Sequence, residues 1–268
     1  MLRKVIEGYF VCCHGIEKQR VAVNYNHQTD EINDWFIERV DVLSPPDVIF
    51  SEQQLFFPSF VDLHVHARED NSALENYKED FFSASLAAQN GGVCAFMDMP
   101  NNLGDPPVDL PSFQRKYRLI QEAMQIVRQK TGVKTVIFPY VLLNKQSRPF
   151  TFEERPLPYK LFLGALAPYS FYELETLLKN FAGESISFHC EHPNFLAKTV
   201  TTDVHMHNLY WHSQNRPVEA EVQAIADVLR LTERYNINAT ICHLSTARGL
   251  ELCLQARARG VSVKIEVT

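Results

Sequence analysis

The sequence has no apolar run near the roughly 20 residues that a membrane-spanning helix needs, and its opening MLRKVIEGYFVCCHGIEKQR lacks the apolar stretch of a secretory signal. A cytoplasmic protein with no membrane partner is therefore expected. Positive charge is also scarce. Lys and Arg number 26 against 32 Asp and Glu, for a net charge of -6, which argues against the basic face that binds nucleic acid. None of the six cysteines forms a C-x-x-C pair. The adjacent Cys12 and Cys13 do not look like a disulfide framework, so reduced thiols are expected. No internal repeat or low-complexity tract is found. What is present is 46% hydrophobic and 22% charged residues, the composition of a globular chain able to bury a large core. Small molecules or a second copy of the chain are the expected partners.

Residues 1–58 read as a small β region, with VIEGYFVCC, RVAVNYN and ERVDVLSPPDVIF as short strands. From residue 59 to 268 the pattern changes to apolar runs alternating with amphipathic segments, the signature of β/α units. The strand candidates are FVDLHVH (60–66), VCAFMDM (93–99), VKTVIFPYVLL (133–143), YKLFLG (159–164), SISFHCE (185–191), ATICHLS (239–245) and VSVKIEVT (261–268). Helices are predicted over about 78–90, 111–130, 171–181, 217–235 and 247–259, several closed by glycine at 91, 92 and 260. Residues 192–216 show no clear period. The fold class expected is α/β, a (β/α)8 TIM-type barrel with a small N-terminal β segment. Seven strands are visible where closure needs eight, so the barrel is expected to be incomplete at its C-terminus.

Chemistry concentrates in FVDLHVHARED, where strand alternation predicts that Asp62, His64, His66 and Arg68 share one face. Two neutral imidazoles on one rigid strand can chelate a zinc-type ion. A lone H-x-H is more simply a pair of core histidines, but His189 ends another strand candidate and His243 lies near the end of a third. Barrel sites gather at the C-terminal ends of strands, so four histidines so placed favour metal ligation. A second H-x-H, His205-Met206-His207 with His212 nearby, lacks an apolar strand and reads as a solvated loop.

These residues resemble the cyclic amidohydrolases, and within them the dihydroorotases. The resemblance runs from Pro58 to Thr268 and rests on an ordered set of motifs: FVDLHVHARED, GGVCAFMDMPNNLGDPPVD, YKLFLG, FHCEH, RPVEAEVQAIADVLRLTE and CHLSTARGLELCLQARARGVSVKIEVT. It implies two zinc ions in a barrel, sharing a hydroxide, with His64 and His66 on one ion and His189 and His243 on the other. Lys160 matches the lysine that such enzymes carboxylate to bridge both metals. An ammonium has only donors, whereas a carbamate offers two anionic oxygens. Alternation should then place Leu161, Leu163, Cys190, Cys242 and Leu244 on the helix side.

The same resemblance makes Arg68 the anchor of a substrate carboxylate, by two parallel hydrogen bonds, and Asn101 a second contact to it. The implied activity is the reversible cyclisation of N-carbamoyl-L-aspartate to L-dihydroorotate in pyrimidine biosynthesis, with a homodimer as an assembly common among such enzymes. No catalytic residue is assigned within the chain, because the implied proton-carrying aspartate would lie on an eighth strand beyond Thr268. A natural protein longer than this chain is one expectation, and a non-catalytic paralogue kept for assembly is the alternative. A related ring substrate, dihydropyrimidine, hydantoin or allantoin, is the other alternative. Departures from the resembling pattern are Pro58-Ser59 before the first strand, in place of Pro-Gly, and Glu69-Asp70-Asn71 after the arginine, in place of Glu-Pro-Gly.

Overall fold

The computed structural model describes residues 2–25, 36–40, 45–164, 168–196 and 215–267. The chain divides into two compact units, residues 1–60 and 61–268. In the first unit, β1 (Leu2–Cys12) and β2 (Gly15–Tyr25) form a long antiparallel hairpin in which Val5 faces Ala22 and Cys12 faces Gly15. Gly15 has φ 125° at the turn, a conformation open to glycine. Strand β3 (Phe36–Arg39) extends the sheet beyond β2. The short β4 (Val48–Ile49) and β5 (Leu55–Phe56) pair in parallel with β1. Phe56 stacks on Phe10 at 4.7 Å between centroids, fixing β5 against the hairpin.

The second unit begins with β6 (Phe60–Val65), α1 (Phe81–Asn90), β7 (Val93–Asp98), α2 (Leu110–Thr131) and β8 (Val136–Pro139). It continues through β9 (Val141–Leu142), a hairpin of β10 (Thr151–Phe152) and β11 (Arg155–Pro156), and β12 (Tyr159–Leu163). After these come α3 (Phe171–Leu178), β13 (Ser185–Cys190), α4 (Val218–Tyr235), β14 (Asn238–Leu244), α5 (Ala247–Ala258) and β15 (Val263–Val267). Two sheets result, β6-β7-β8 and β9-β12-β13-β14-β15. Only Tyr140 separates β8 from β9. Pro139 is in register with Asp98 of β7 and Val141 with Tyr159 of β12, so a single extended segment borders both sheets. The strands follow chain order, and neighbours from β12 to β15 are parallel, which makes this unit a partial (β/α) barrel of seven strands.

Helix starts are set locally. Asp80, Asp109 and Ser170 each form reciprocal capping bonds with the residue three positions on, and Thr246 caps α5. The helices then bury their apolar faces on the strands. Leu161 and Leu163 pack with Leu174, Leu177, Ile225 and Val228, while Phe96 and Ile137 pack with Phe81, Ile120 and Met124. Each such side chain contributes roughly 1.5–3 kcal/mol when fully buried. Between residues 143 and 159 the connection is the β10–β11 hairpin in place of a helix. None of the described helices is long and apolar enough to cross a membrane.

Candidate active site

Alternation along β12 puts Leu161 and Leu163 in the helix-side core and leaves Lys160, fully buried, on the opposite face. On β13 the same pleat sends Ile186, Phe188 and Cys190 into that core and His189 inward. Here the sequence expectation and the structure agree. Strand β14 breaks the pattern. Its register against β15 shifts between Ile241 and Leu244, and His243 has φ 37°. Ala239, Ile241 and Leu244 reach the helix-side core. The regular pleat that sends Ala239 and Ile241 outward turns Cys242 the other way, within 2.9 Å of the Lys160 amine, and the bulge turns His243 to the same side. The expected outward placement of Cys242 is thus wrong, because the inserted residue lets His243 share the face that alternation already gives Cys242.

The four imidazoles gather in one cluster. Ring centroids are 5.2 Å apart for His64 and His66, 5.5 Å for His64 and His243, and 4.7 Å for His189 and His243. His64 Nδ1 lies 2.9 Å from the Glu266 carboxylate, and a carboxylate only accepts, so Nδ1 carries the proton. His66 Nδ1 donates likewise to Asn101 Oδ1 at 2.7 Å. Each ring of the H-x-H thus directs its Nε2 away from its outer partner, the arrangement in which such a partner orients a histidine for metal. His189 Nε2 donates to Glu191 at 3.0 Å, and its Nδ1 meets His243 Nε2 at 2.9 Å. Burial drives the pKa of His66 down to about 4, and burial followed by the nearby His189 lowers that of His243. Both rings are thus neutral near pH 7. Burial opposes ionisation of Glu191, but hydrogen bonds from His189 and Arg216 prevail and hold it at about 2.

This donor set fits a divalent metal: four imidazoles with oriented nitrogens, two of them held neutral by burial, beside a buried lysine. His64, Cys242 and Glu266 form a further group whose donor atoms lie within 4.8 Å of one another. Cys242 and Glu266 were not foreseen. Glu266 sits in the strand VSVKIEVT on the face opposite Val263 in alternation, but its partner His64 is 202 residues away. His205, His207 and His212 lie outside the described residues.

Arg68 is placed by a turn and not by the strand. Strand β6 ends at Val65, and Arg68 has φ 60° inside a three-residue turn closed by the Glu69 amide donating to Ala67 O at 2.7 Å. The expected shared face with His64 and His66 therefore does not follow from the pleat. The two acidic neighbours are engaged elsewhere: Glu69 accepts from the Phe81 amide and Asp70 from Ser72 and Asp105. Among the described residues no hydrogen bond or ion pair is found for the Arg68 guanidinium. Its charge helps lower the pKa of His66, after burial, and also acts on Glu75, Lys78 and Asp98.

A scan against protein-family models finds no match. Among curated proteins, the dihydroorotase of Thermus aquaticus is 32% identical over 225 residues, covering 79% of this chain and 49% of that protein. The allantoinase of Enterococcus faecalis is 28% identical, covering 84% of this chain and 51% of the relative. Among solved structures, the L-hydantoinase (dihydropyrimidinase) of Arthrobacter aurescens superposes with a TM-score of 0.65 at 17% identity, over 98% of this chain and 57% of that one. The chain belongs to the cyclic amidohydrolase family of the amidohydrolase superfamily. It spans about half the length of the curated relatives it matches. Dihydroorotases and allantoinases both occur among those relatives, so the cyclic amidohydrolase grouping is firmer than any one ring substrate.

Proposed function

We propose that this chain carries the metal-binding and carboxylate-binding part of a dihydroorotase, interconverting N-carbamoyl-L-aspartate and L-dihydroorotate. The observation that carries the reading is Arg68, whose guanidinium has no hydrogen bond or ion pair among the described residues and whose charge is felt at His66. Dihydroorotate has a carboxylate, and hydantoin has none. A guanidinium binds a carboxylate through two parallel charge-assisted hydrogen bonds. Asn101 spends its Oδ1 on His66 and keeps its Nδ2 hydrogens for a second contact to the same carboxylate.

His64, His66, His189 and His243 would hold two zinc ions, with Lys160 as a carbamate between them. When bound, such ions supply Lewis acidity and lower the pKa of water toward ~7. Glu266 and Asn101 keep the H-x-H rings in one tautomer. The buried Lys160 sits in the midst of the cluster, where an unmodified ammonium would oppose a cation. The test is Arg68→Met in the zinc-supplemented protein. Losing a charge-assisted contact should weaken the Kd for N-carbamoyl-L-aspartate, measured by calorimetry, by about 10- to 100-fold. An unchanged Kd would favour a ring without a carboxylate, the second reading, which the allantoinase relatives support.

A further inference from the structure

Lys116 of α2 and Asp98 at the end of β7 form an ion pair at 2.9 Å in which both side chains are 0% exposed. Burying two charges is costly and seldom a net source of stability, so the use of this pair is to be sought in what it holds. The Lys116 amine stands 2.9 Å from Asp98 Oδ2 as an ion pair, donates to Asn102 Oδ1 at 3.1 Å, and donates to the main-chain oxygen of Glu69. The other oxygen of Asp98 accepts from the Ala67 amide at 3.0 Å. The pair therefore grips the backbone on both sides of Arg68, at residues 67 and 69, and also the side chain next to Asn101. These are the two loops that present the carboxylate contacts. Arg68 needs such a grip, because φ 60° is unfavourable for a side chain with a Cβ and persists only when its surroundings impose it.

We infer that Lys116, Asp98 and Asn102 are positioning residues that set the selectivity of the site for a ring substrate bearing a carboxylate. This rests on the reading of Arg68 and Asn101 given above. Lys116 touches no substrate. It holds Arg68 in a left-handed turn and ties that turn to the loop of Asn101, so that two donors address one carboxylate together. Without the tie, Arg68 relaxes to an ordinary backbone conformation and the guanidinium leaves its place.

The test compares binding of N-carbamoyl-L-aspartate with that of N-carbamoyl-β-alanine, which lacks the α-carboxylate, by calorimetry on the zinc-loaded protein. Lys116→Met alone would strand a buried carboxylate and unfold the chain, so it is combined with Asp98→Asn, which keeps an acceptor for the Ala67 amide. Asn102→Ala, which leaves the ion pair intact, is the milder second variant. The double variant should lose about tenfold in its preference for the carboxylate-bearing ligand, the scale of one charge-assisted contact, with the weaker ligand unaffected. Asn102→Ala should lose part of the same preference. Folded, zinc-binding variants that keep the wild-type ratio overturn the inference. Arg68→Met run in parallel separates the two claims: if it lowers the preference while the other variants do not, only the positioning role fails, and if it too has no effect, the carboxylate reading itself fails.

Discussion

His64 and Glu266 join the first and the seventh strand of the second unit through one hydrogen bond of 2.9 Å. The bond fixes which nitrogen of His64 is free, so its loss should be felt in metal affinity and not only in packing. Glu266→Ala is predicted to weaken zinc binding by about 10- to 100-fold, the usual cost of removing a ligand's outer partner. Glu266→Gln, which keeps an acceptor, should recover much of it. Competition with a chromogenic chelator measures both, and equal affinities for wild type and Glu266→Ala would contradict the role. At this scale the sequence was legible wherever the pleat is regular. Lys160, singled out by the resemblance, and His189 lie inward as alternation on β12 and β13 expects, and the H-x-H was visible from its spacing. Glu266 and Lys116 were not legible, because each gains its meaning from a partner distant in the chain: Glu266 reads as one polar position in an edge strand, and Lys116 as one cation on an amphipathic helix.

Among the elements, β14 carries the clearest departure from the expected pattern. Its bulge brings Cys242 and His243 to the same side, and no feature of ATICHLS announces it. The helices were read to within a few residues because their ends are chemically marked, as at the capping pairs Asp80 with Ser83 and Ser170 with Glu173. That second pair makes a pH prediction. The hydrogen bond from Lys145, then those from Ser170, hold the Glu173 carboxyl at about 2, below its ordinary 4.5. A depressed carboxyl contributes stability above its unfolded value and loses it as pH falls toward the folded one. The α3 contribution should therefore be intact at pH 7 and decline between pH 4.5 and 2, and Glu173→Gln should flatten that part of the stability profile. Urea midpoints at pH 6 and pH 3 for both proteins check it. The start of α5 is equally specific. An added Cβ at Gly249 would lie 2.7 Å from Thr246 Oγ1 and 2.8 Å from Ile225 Cδ1 of α4. Gly249→Ala is thus predicted to destabilise by about 1–3 kcal/mol, although alanine ordinarily favours a helix over glycine by about 1 kcal/mol. A raised urea midpoint would contradict the close packing of α4 on α5.

The second unit is a partial barrel whose seven strands follow chain order, with five helices among the described residues packed on its outer side. That order was legible because each strand candidate is a short apolar run set between amphipathic stretches. The split of the third candidate was not: a single segment, 136–142, serves two sheets because Tyr140 interrupts its pairing. Function at this scale depends on whether strands β6, β12, β13 and β14 deliver their donors to a common metal centre, and that can be measured without any substrate. The protein purified from zinc-supplemented cultures should contain about two zinc equivalents per chain, as a two-metal hydrolytic site requires, and the count should fall in His64→Asn and His189→Asn variants that keep the wild-type circular dichroism spectrum. A folded protein with no bound divalent metal, or a metal count unchanged in both variants, would contradict the account.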